Sequence, residues 1–241
     1  YDYMVRKVQE LKLRLMCIDS LRILKEFYTY EELSRVIKLP KSLLCRYVKG
    51  DILPLIDRAL EITKITTTTL VEIIEKKLRM SKRGVIDIYS IAYDPNILRL
   101  ASYYAFLHFN DIEIDRVLTA AVNGIPLAVM IAQTLETKLA VALKAREVGD
   151  MKYLEAQYFS PSPPMLTSLY LPEIAIERGE RVLIVDDLLR TGRTLRALMK
   201  LVHDANARTV GVFALISLGE EWRKYIPRDL ERVIVVKIVP V

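Results

Sequence analysis

The residues with the clearest chemical potential stand directly after a short aliphatic run. Asp186 and Asp187 follow residues 182–185, Val-Leu-Ile-Val, which the pattern predicts to be a buried strand of a parallel sheet. Where the strand leaves the sheet, the two adjacent carboxylates should point to opposite sides. One or both could accept hydrogen bonds from sugar hydroxyls or, through water, hold Mg²⁺. The pair therefore suggests a site for a hydroxyl-bearing ligand.

The loop after the acidic pair has the composition of an anion site. Residues 191–194, Thr-Gly-Arg-Thr, lead into a helical pattern at residues 195–204. Backbone N–H groups at a helix start lack partners within the helix, and the helix dipole favours an anion there. Gly192 lets the chain approach a phosphate closely, and the threonines add hydroxyl donors. Ligands of open parallel sheets bind outside the carboxyl ends of the strands, so a sugar phosphate fits this arrangement.

At these residues the sequence resembles the type I phosphoribosyltransferases, whose signature is an aliphatic strand, two acidic residues, two apolar residues and a Thr/Ala-Thr-Gly-x-Ser/Thr loop. The resemblance implies that the acidic pair holds the ribose hydroxyls of phosphoribosyl pyrophosphate (PRPP), with Mg²⁺ arriving together with PRPP rather than in a direct protein cage. It implies that residues 190–194 hold the 5′-phosphate. The predicted PRPP-binding residues are Asp186, Asp187, Leu188, Leu189, Arg190, Thr191, Gly192, Arg193 and Thr194.

One residue of this stretch departs from the family pattern. Arg190 stands where a small residue is usual. The alternative interpretation of the whole stretch is an ordinary doubly wound fold with an acidic strand end, as in receiver domains.

Two further loops should converge on the same crevice. Residues 121–124 join a predicted strand to a helix and could offer backbone N–H groups to pyrophosphate. The sequence Gly-Ile-Pro-Leu-Ala at residues 124–128 matches the family's ending of this loop, although Asn123 stands where a charged residue is frequent. Lys144 and Arg146 resemble the cationic pair that precedes the family's mobile active-site loop, or else they are solvent-facing charges. The predicted pyrophosphate-binding residues are Val122, Asn123, Gly124, Lys144 and Arg146.

Strands and helices alternate from residue 85 onward. Strands are predicted at residues 116–120, 139–143, 182–185, 210–216 and 233–238, and helices at 125–135 and 195–204. Helices between strands imply right-handed crossovers, hence a doubly wound α/β fold with a parallel sheet. Residues 147–171 show little helical periodicity and contain Ser-Pro-Ser-Pro-Pro. We expect them to form a long irregular segment, corresponding to the family's flexible loop that closes over PRPP.

The N-terminal third is helical and basic. Residues 1–85 contain 18 Lys and Arg against 11 Asp and Glu, a formal charge of +7, whereas residues 86–241 carry −1. This asymmetry suggests a polyanionic partner, or alternatively a solvated basic surface. Helices are predicted at residues 5–18, 19–28, 30–37, 41–49, 55–62 and 70–78, with a run of four threonines at 66–69 separating the last two.

Two of these helices suggest a helix-turn-helix. Thr29 and Glu32 predict a capping box, residues 38–40 form a three-residue break, and Gly50 closes the second helix. Residues 41–54 look like the recognition helix and exit of the phage-repressor (Cro/CI-like) class, although a lysine begins the break where Gly is common. The alternative is a helical hairpin without DNA function. The resemblance implies base-reading or phosphate-binding roles for Lys41, Ser42, Leu43, Arg46 and Lys49.

Composition limits the remaining function classes. The chain has 241 residues and 52% hydrophobic residues, enough for one large or two modest domains. We expect a helix-turn-helix domain at residues 1–84 and a ligand-binding domain at 85–241, with the boundary at residues 81–84. The sequence shows no apolar run of transmembrane length, no signal peptide and two isolated cysteines, so a soluble cytoplasmic protein without a membrane partner is expected. Its two histidines argue against histidine-based catalysis or a zinc site.

Together the two halves resemble the archaeal transcription regulators of the glucose and fructose catabolism regulator type. They are also similar in plan, with a different DNA-binding module, to the bacterial purine operon repressors. The resemblance implies a homodimer that binds double-stranded operator DNA and whose former active site senses PRPP or a related nucleotide, with catalysis reduced or lost. The alternative is an active purine or pyrimidine phosphoribosyltransferase with a fused accessory DNA-binding domain. The altered pyrophosphate loop and Arg190 argue against full activity, so no catalytic residue is assigned.

Overall fold

The computed structural model describes residues 2–80, 86–161 and 164–240. The α-helices are α1 (Asp2–Phe27), α2 (Tyr30–Ile37), α3 (Lys41–Lys49), α4 (Ile56–Lys77), α5 (Tyr89–Ala92), α6 (Pro95–Phe109), α7 (Gly124–Leu135) and α8 (Arg193–Asp204). The strands are β1 (Arg79–Met80), β2 (Ile86–Asp87), β3 (Arg116–Ala120), β4 (Lys138–Ala142), β5 (Tyr153–Pro161), β6 (Pro164–Pro172), β7 (Arg181–Leu189), β8 (Arg208–Leu218) and β9 (Arg232–Val239). Within the described ranges, no helix is both long and apolar enough to cross a membrane.

A parallel sheet forms the centre of the molecule. Its strand order is β4-β3-β7-β8-β9, and every neighbouring pair is parallel. Residues 182–185 of the central strand are fully buried because both faces of the sheet are covered. Leu183 and Val185 face the hydrophobic cluster that contains α6 and α7, whereas Val182 and Ile184 face the cluster that contains α8. The predicted doubly wound parallel fold is confirmed for this part of the chain.

The central strand is longer than the aliphatic run predicts. β7 continues through both aspartates and pairs with β8 as far as Leu189, opposite Ser217. On its other side, β7 pairs with β3 only as far as Ile184, opposite Leu118. The strand therefore continues beyond its predicted end at Val185 and contains the acidic pair. β8 is long enough to supply ladder partners there, while the shorter β3 frees the other edge of β7 for the crevice.

The threonine run does not interrupt its helix. α4 is continuous across residues 66–69, so the predicted break was wrong. Thr66 and Thr67 are buried, and their hydroxyls donate to the carbonyl of Thr63 at 3.0 and 2.8 Å. These bonds give the buried hydroxyls hydrogen-bond partners, and burial in the core offsets the low helix propensity of threonine. α1 is likewise one continuous helix where two segments were predicted.

The segment predicted as an irregular loop at residues 147–171 is mostly a hairpin. β5 and β6 pair antiparallel from Tyr153 opposite Pro172 to Pro161 opposite Pro164, and residues 162 and 163 lie outside the described residues. Ala156 and Leu169 are buried on the face shared with α8. Pro161 and Pro164 are the last paired residues of the two strands. The two-residue alternation of the flanking strands was the missed signal.

The N-terminal helices dock on one face of the sheet. A single hydrophobic cluster runs from Leu33 and Leu44 of the α2–α3 pair to Leu98 of α6 and Val185 of β7. Asp19 of α1 accepts hydrogen bonds from two side chains of α6, those of Arg99 and Tyr103, each at 2.7 Å. The predicted boundary at residues 81–84 lies outside the described residues.

Candidate functional site

A pocket opens at the carboxyl end of β7. Its volume is about 360 Å³. It is lined by Tyr158, Asp186, Leu188, Leu189, Arg190, Thr191, Gly192, Arg193, Thr194 and Leu195. The fold thus gathers almost the whole predicted PRPP-binding stretch around one cavity. Tyr158, from β5, was missed because its segment was not predicted to be a strand.

The floor of this pocket requires glycine at position 192. Gly192 has φ +77°, and a Cβ there would lie 2.7 Å from the Trp222 Cα and 2.9 Å from the Tyr225 Cδ2. α8 begins at Arg193 with no side-chain cap, so its first backbone N–H groups have no side-chain partner. Such uncapped N–H groups form an anion site. Trp222 and Tyr225, which press the loop into this shape, were not predicted from the sequence.

Asp186 and Asp187 form a buried like-charge pair. Their exposed fractions are 8% and 7%. Burial raises the pKa of both carboxyls, and repulsion from Asp187 raises the pKa of Asp186 further. The Asp186 Oδ1 accepts from the Asp187 backbone N–H at 3.0 Å, and the charge of Arg190 partly offsets the rise at Asp187. Hydroxyl donors or a hydrated Mg²⁺ would satisfy these oxygens, so the residues present fit such a group.

Behind the acidic pair lies an unsatisfied hydroxyl. The Thr119 Oγ1, at the end of β3, is buried without a hydrogen-bond partner among the described residues. A Cβ on Gly124 would lie 2.4 Å from this oxygen and 3.5 Å from the Asp186 Oδ1. Gly124 therefore lets α7 begin directly beside the acidic pair. Thr119 was not predicted as a site residue. Its only signal in the sequence is a polar residue within a predicted apolar strand.

A second pocket, of about 430 Å³, lies on the other side of β7. Its walls include Asp187 and Arg190 on one side and Tyr89, Tyr93 and Asn123 on the other. The two aspartates thus open on different pockets, as alternation along a strand requires. The Tyr93 hydroxyl donates to the Asn123 Oδ1 at 2.8 Å, and the rings of Tyr89 and Tyr93 stack with centroids 4.7 Å apart. Asn123 and Asp187 thereby line the same pocket.

The other predicted pyrophosphate residues are more dispersed. Val122 is exposed and follows a cis peptide bond with Ala121. Lys144 and Arg146 are exposed, and neither lines the two pockets. Arg146 is engaged by the hairpin instead, since its guanidinium bonds Glu155 at 2.9 Å and lies over the ring of Tyr170 at 4.9 Å. The pyrophosphate roles of these residues stay predictions.

The short helices α2 and α3 have the end caps that the sequence predicts. Thr29 and Glu32 form the complete capping box at the start of α2. Lys38 adopts the left-handed conformation with φ +57°, and Gly50 ends α3 with φ +83°. The Ser34 hydroxyl donates to the Leu39 carbonyl at 2.6 Å and closes the turn. Lysine is therefore tolerated at the position where Gly was expected, at some strain.

Helix α3 presents most of its predicted DNA-binding side chains to solvent. Lys41, Ser42, Arg46 and Lys49 are exposed, whereas Leu43 is half-buried against the core. Lys41 forms an ion pair with Glu31 at 2.6 Å.

The C-terminal end of α3 is held from α1. The Arg22 Nε donates to the Val48 carbonyl at 2.7 Å, which caps α3 and fixes it on the rest of the molecule. α3 therefore has an exposed cationic side and is held at its C-terminal end by α1.

The fold and crevice define a doubly wound α/β domain with an acidic pair and an uncapped helix start at its strand ends. Residues 90–236 match the phosphoribosyl transferase domain, and the chain belongs to this family.

The similar proteins include both regulators and enzymes. The chain is 26% identical over 156 residues to the purine biosynthesis transcriptional activator PurR of Lactococcus lactis, covering 65% of this chain and 56% of that protein. It is 29% identical over 163 residues to the hypoxanthine/guanine phosphoribosyltransferase of Methanohalophilus mahii, covering 63% and 82%. The adenine phosphoribosyltransferase structure from Rhodothermus marinus superposes with a TM-score of 0.62 at 28% identity, covering 71% and 99%. The chain spans a little over half the length of the PurR activator it matches, at 56%.

Proposed function

We propose that this protein is a DNA-binding transcription regulator whose phosphoribosyltransferase domain senses PRPP or a related nucleotide. The observation that carries the proposal is α3 itself, an exposed cationic helix that follows α2 after a three-residue turn and is joined through α1 to the domain with the crevice. The similarity to purine biosynthesis regulators supports the same reading. The sequence also resembles the archaeal transcription regulators of the glucose and fructose catabolism regulator type.

The ligand contacts in this proposal follow from the donors and acceptors of the crevice. The Asp186 and Asp187 carboxylates accept hydrogen bonds from the ribose hydroxyls, and the N–H groups at the start of α8 bind the 5′-phosphate. The loop at Asn123 and the start of α7 binds the pyrophosphate. The acidic pair would hold Mg²⁺ bound with PRPP, and the metal would supply positive charge to neighbouring carboxylate and phosphate oxygens.

The DNA contacts place α3 in the major groove of an operator. Arg46 has the forked donors that read guanine, and Lys41 and Lys49 bind phosphates after Lys41 leaves Glu31. A two-fold operator requires two copies of α3, so the regulator acts as a homodimer in the cytoplasm. PRPP changes operator affinity only to the extent that it binds the two dimer arrangements unequally.

The test is selection from a random duplex DNA pool at a fixed salt concentration, with and without PRPP and Mg²⁺. We expect a palindromic consensus whose enrichment changes with PRPP, which also gives the sign of the response. If neither pool enriches a sequence, the regulator proposal is wrong.

An active phosphoribosyltransferase is the second candidate. The observation in its favour is the likeness to enzymes over most of their own length, 99% for the adenine phosphoribosyltransferase structure. Pyrophosphate release from PRPP and Mg²⁺ with a panel of purine and pyrimidine bases tests it. Sustained turnover with one base would establish the enzyme, and absence of turnover despite PRPP binding would favour the sensor.

A further inference from the structure

One hydrogen bond joins the crevice to the helices that support α3. Tyr93, directly after α5, donates from its hydroxyl to the Asn123 Oδ1 at 2.8 Å. Its ring stacks on Tyr89, and its side chain is partly exposed at the rim of the second pocket. The bond thus connects an aromatic residue outside the predicted site to the loop assigned to pyrophosphate.

Asn123 occupies a position where its side-chain oxygen would ordinarily cap a helix. It is the N-cap residue of α7 but makes no side-chain cap bond. The Ile125 N–H already donates to the Val122 carbonyl at 3.2 Å, and Pro126 has no N–H to offer. The Asn123 oxygen therefore has no partner in the first turn of α7, and Tyr93 provides one.

The bond to Tyr93 also bears on which group the amide presents to the crevice. A free Asn side chain can present either an acceptor oxygen or two N–H donors. With the oxygen directed to the Tyr93 hydroxyl, the Nδ2 group remains to donate elsewhere. Phosphate oxygens accept hydrogen bonds and do not donate them at neutral pH. In the orientation seen here, Asn123 presents its Nδ2 donor to an anion in the crevice.

The residues next to Tyr93 contact the ends of both long N-terminal helices. Asp94 caps α6 by accepting a hydrogen bond from the Asn96 backbone N–H at 2.9 Å. Its second carboxylate oxygen accepts from the ammonium group of Lys77, the last residue of α4, at 2.6 Å. Asn96 donates from its side chain to Glu26, near the end of α1, at 2.6 Å. α1 then leads directly to Thr29, which caps α2. A short series of contacts therefore runs from the pyrophosphate loop to the helix-turn-helix.

We propose that Tyr93 is a positioning residue that orients Asn123 toward bound pyrophosphate and transmits the state of this loop, through Asp94 and Asn96, to α1 and α4. The proposal rests on the proposed function and adds how the ligand site acts on the DNA-binding helices. An anion that fixes the Asn123 amide stabilises the Tyr93 bond, and by reciprocity that bond strengthens anion binding. The affected element is the start of α6, which contacts both long helices.

The first test measures PRPP binding by calorimetry in the presence of Mg²⁺, without DNA. Tyr93→Phe should lower PRPP affinity about two- to tenfold, the change expected for one net hydrogen bond. Tyr104→Phe, a hydroxyl deletion on α6 in a residue that lines neither pocket, should leave the affinity unchanged.

A double-mutant cycle with Asn123→Ala separates positioning from general support of the fold. In the Asn123→Ala background, Tyr93→Phe should have no further effect on PRPP affinity, because its partner is gone. Additive losses from the two changes, or no loss from Tyr93→Phe alone, would overturn the proposal.

The second test measures the ratio of operator affinities with saturating PRPP and without it. Tyr93→Phe should bring this ratio toward one, and so should Glu26→Ala, which removes the contact with Asn96 but should leave PRPP affinity within about twofold. A native ratio in both variants would refute the transmission to α1 and α4. If the native protein itself shows a ratio of one, the regulator proposal fails, while the calorimetric cycle still decides the role of Tyr93 at the pyrophosphate loop.

Discussion

The crevice at the end of β7 and the exposed side of α3 both present groups suited to a ligand that carries phosphate, but they are built differently. In the crevice the groups are buried carboxylates and backbone N–H donors, held by Gly192 and the packing of Trp222. On α3 they are long cationic side chains in solvent, such as Arg46 and Lys49. Fixed, buried groups select one small ligand, whereas exposed cations give affinity that depends on salt.

The largest effect is expected from a substitution that disrupts the crevice and leaves α3 unchanged. Gly192→Ala places a Cβ against the Trp222 backbone at 2.7 Å and requires a left-handed alanine. We expect PRPP binding to be lost and the free energy of unfolding to fall by about 2–4 kcal/mol. Calorimetry and urea unfolding measure the two changes.

Gly179→Ala is the matched control for that substitution. Gly179 has φ +83° but no atom within 4 Å of an added Cβ, so only the backbone strain remains. It should cost about 1 kcal/mol and leave PRPP binding intact. Equal losses in the two variants would show that the contact with Trp222 is irrelevant.

The second prediction concerns Asp186→Asn, which should change PRPP binding and stability in opposite directions. The pKa of Asp186 is raised by burial and by repulsion from Asp187 above the value of about 3.9 expected in the unfolded chain. Above that value the unfolded chain has released its proton while the folded chain keeps it. Stability therefore falls as pH rises from about 4 toward the folded-state pKa. Asp186→Asn should raise Tm at neutral pH because it removes this loss of stability. It should also abolish PRPP binding because it removes a carboxylate that accepts from the ribose hydroxyls.

Thermal unfolding across pH checks the sign of this effect. The difference in Tm between Asp186→Asn and the native chain should be small near pH 3 and should grow as pH increases. A native chain that is the more stable of the two at pH 7, in the absence of ligand, would contradict the burial of an uncompensated carboxyl pair.

The third prediction concerns the exposed cationic side chains of α3. Arg46→Ala should weaken binding to the selected operator by about 1–3 kcal/mol and weaken binding to random DNA less. Lys49→Ala should weaken both equally and lower the dependence of affinity on salt. Titrations at two salt concentrations distinguish the outcomes. Equal loss of specific and non-specific binding in Arg46→Ala would rule out base reading.

The smallest effect is expected from removing the capping box at the start of α2. Thr29→Ala removes one half of the capping box with Glu32 and should lower stability by about 1 kcal/mol. PRPP affinity should stay native, because Thr29 lines neither pocket. Urea unfolding followed by circular dichroism measures the loss, and an unchanged midpoint would mean that the α2 terminus frays before global unfolding.

Elements controlled by neighbours in sequence could be read from the chain alone. The capping box at Thr29, the left-handed end of α3 at Gly50 and the buried strand at residues 182–185 all follow from local rules. The same holds for the loop that lines the first pocket, because a strand, an acidic pair and a glycine before a helix act within about a dozen residues. These features determined the family and the location of the candidate site.

The tertiary structure decided the features that depend on contacts between distant residues. The hairpin of β5 and β6 forms because Ala156 and Leu169 pack toward α8, and it brings Tyr158 into the pocket. Tyr93 meets Asn123 thirty residues away, a contact that no local pattern records. Side-chain burial and long-range hydrogen bonds arise only when the chain is folded. For that reason the sequence located the crevice, while the fold determined which outside residues, such as Tyr158, complete it.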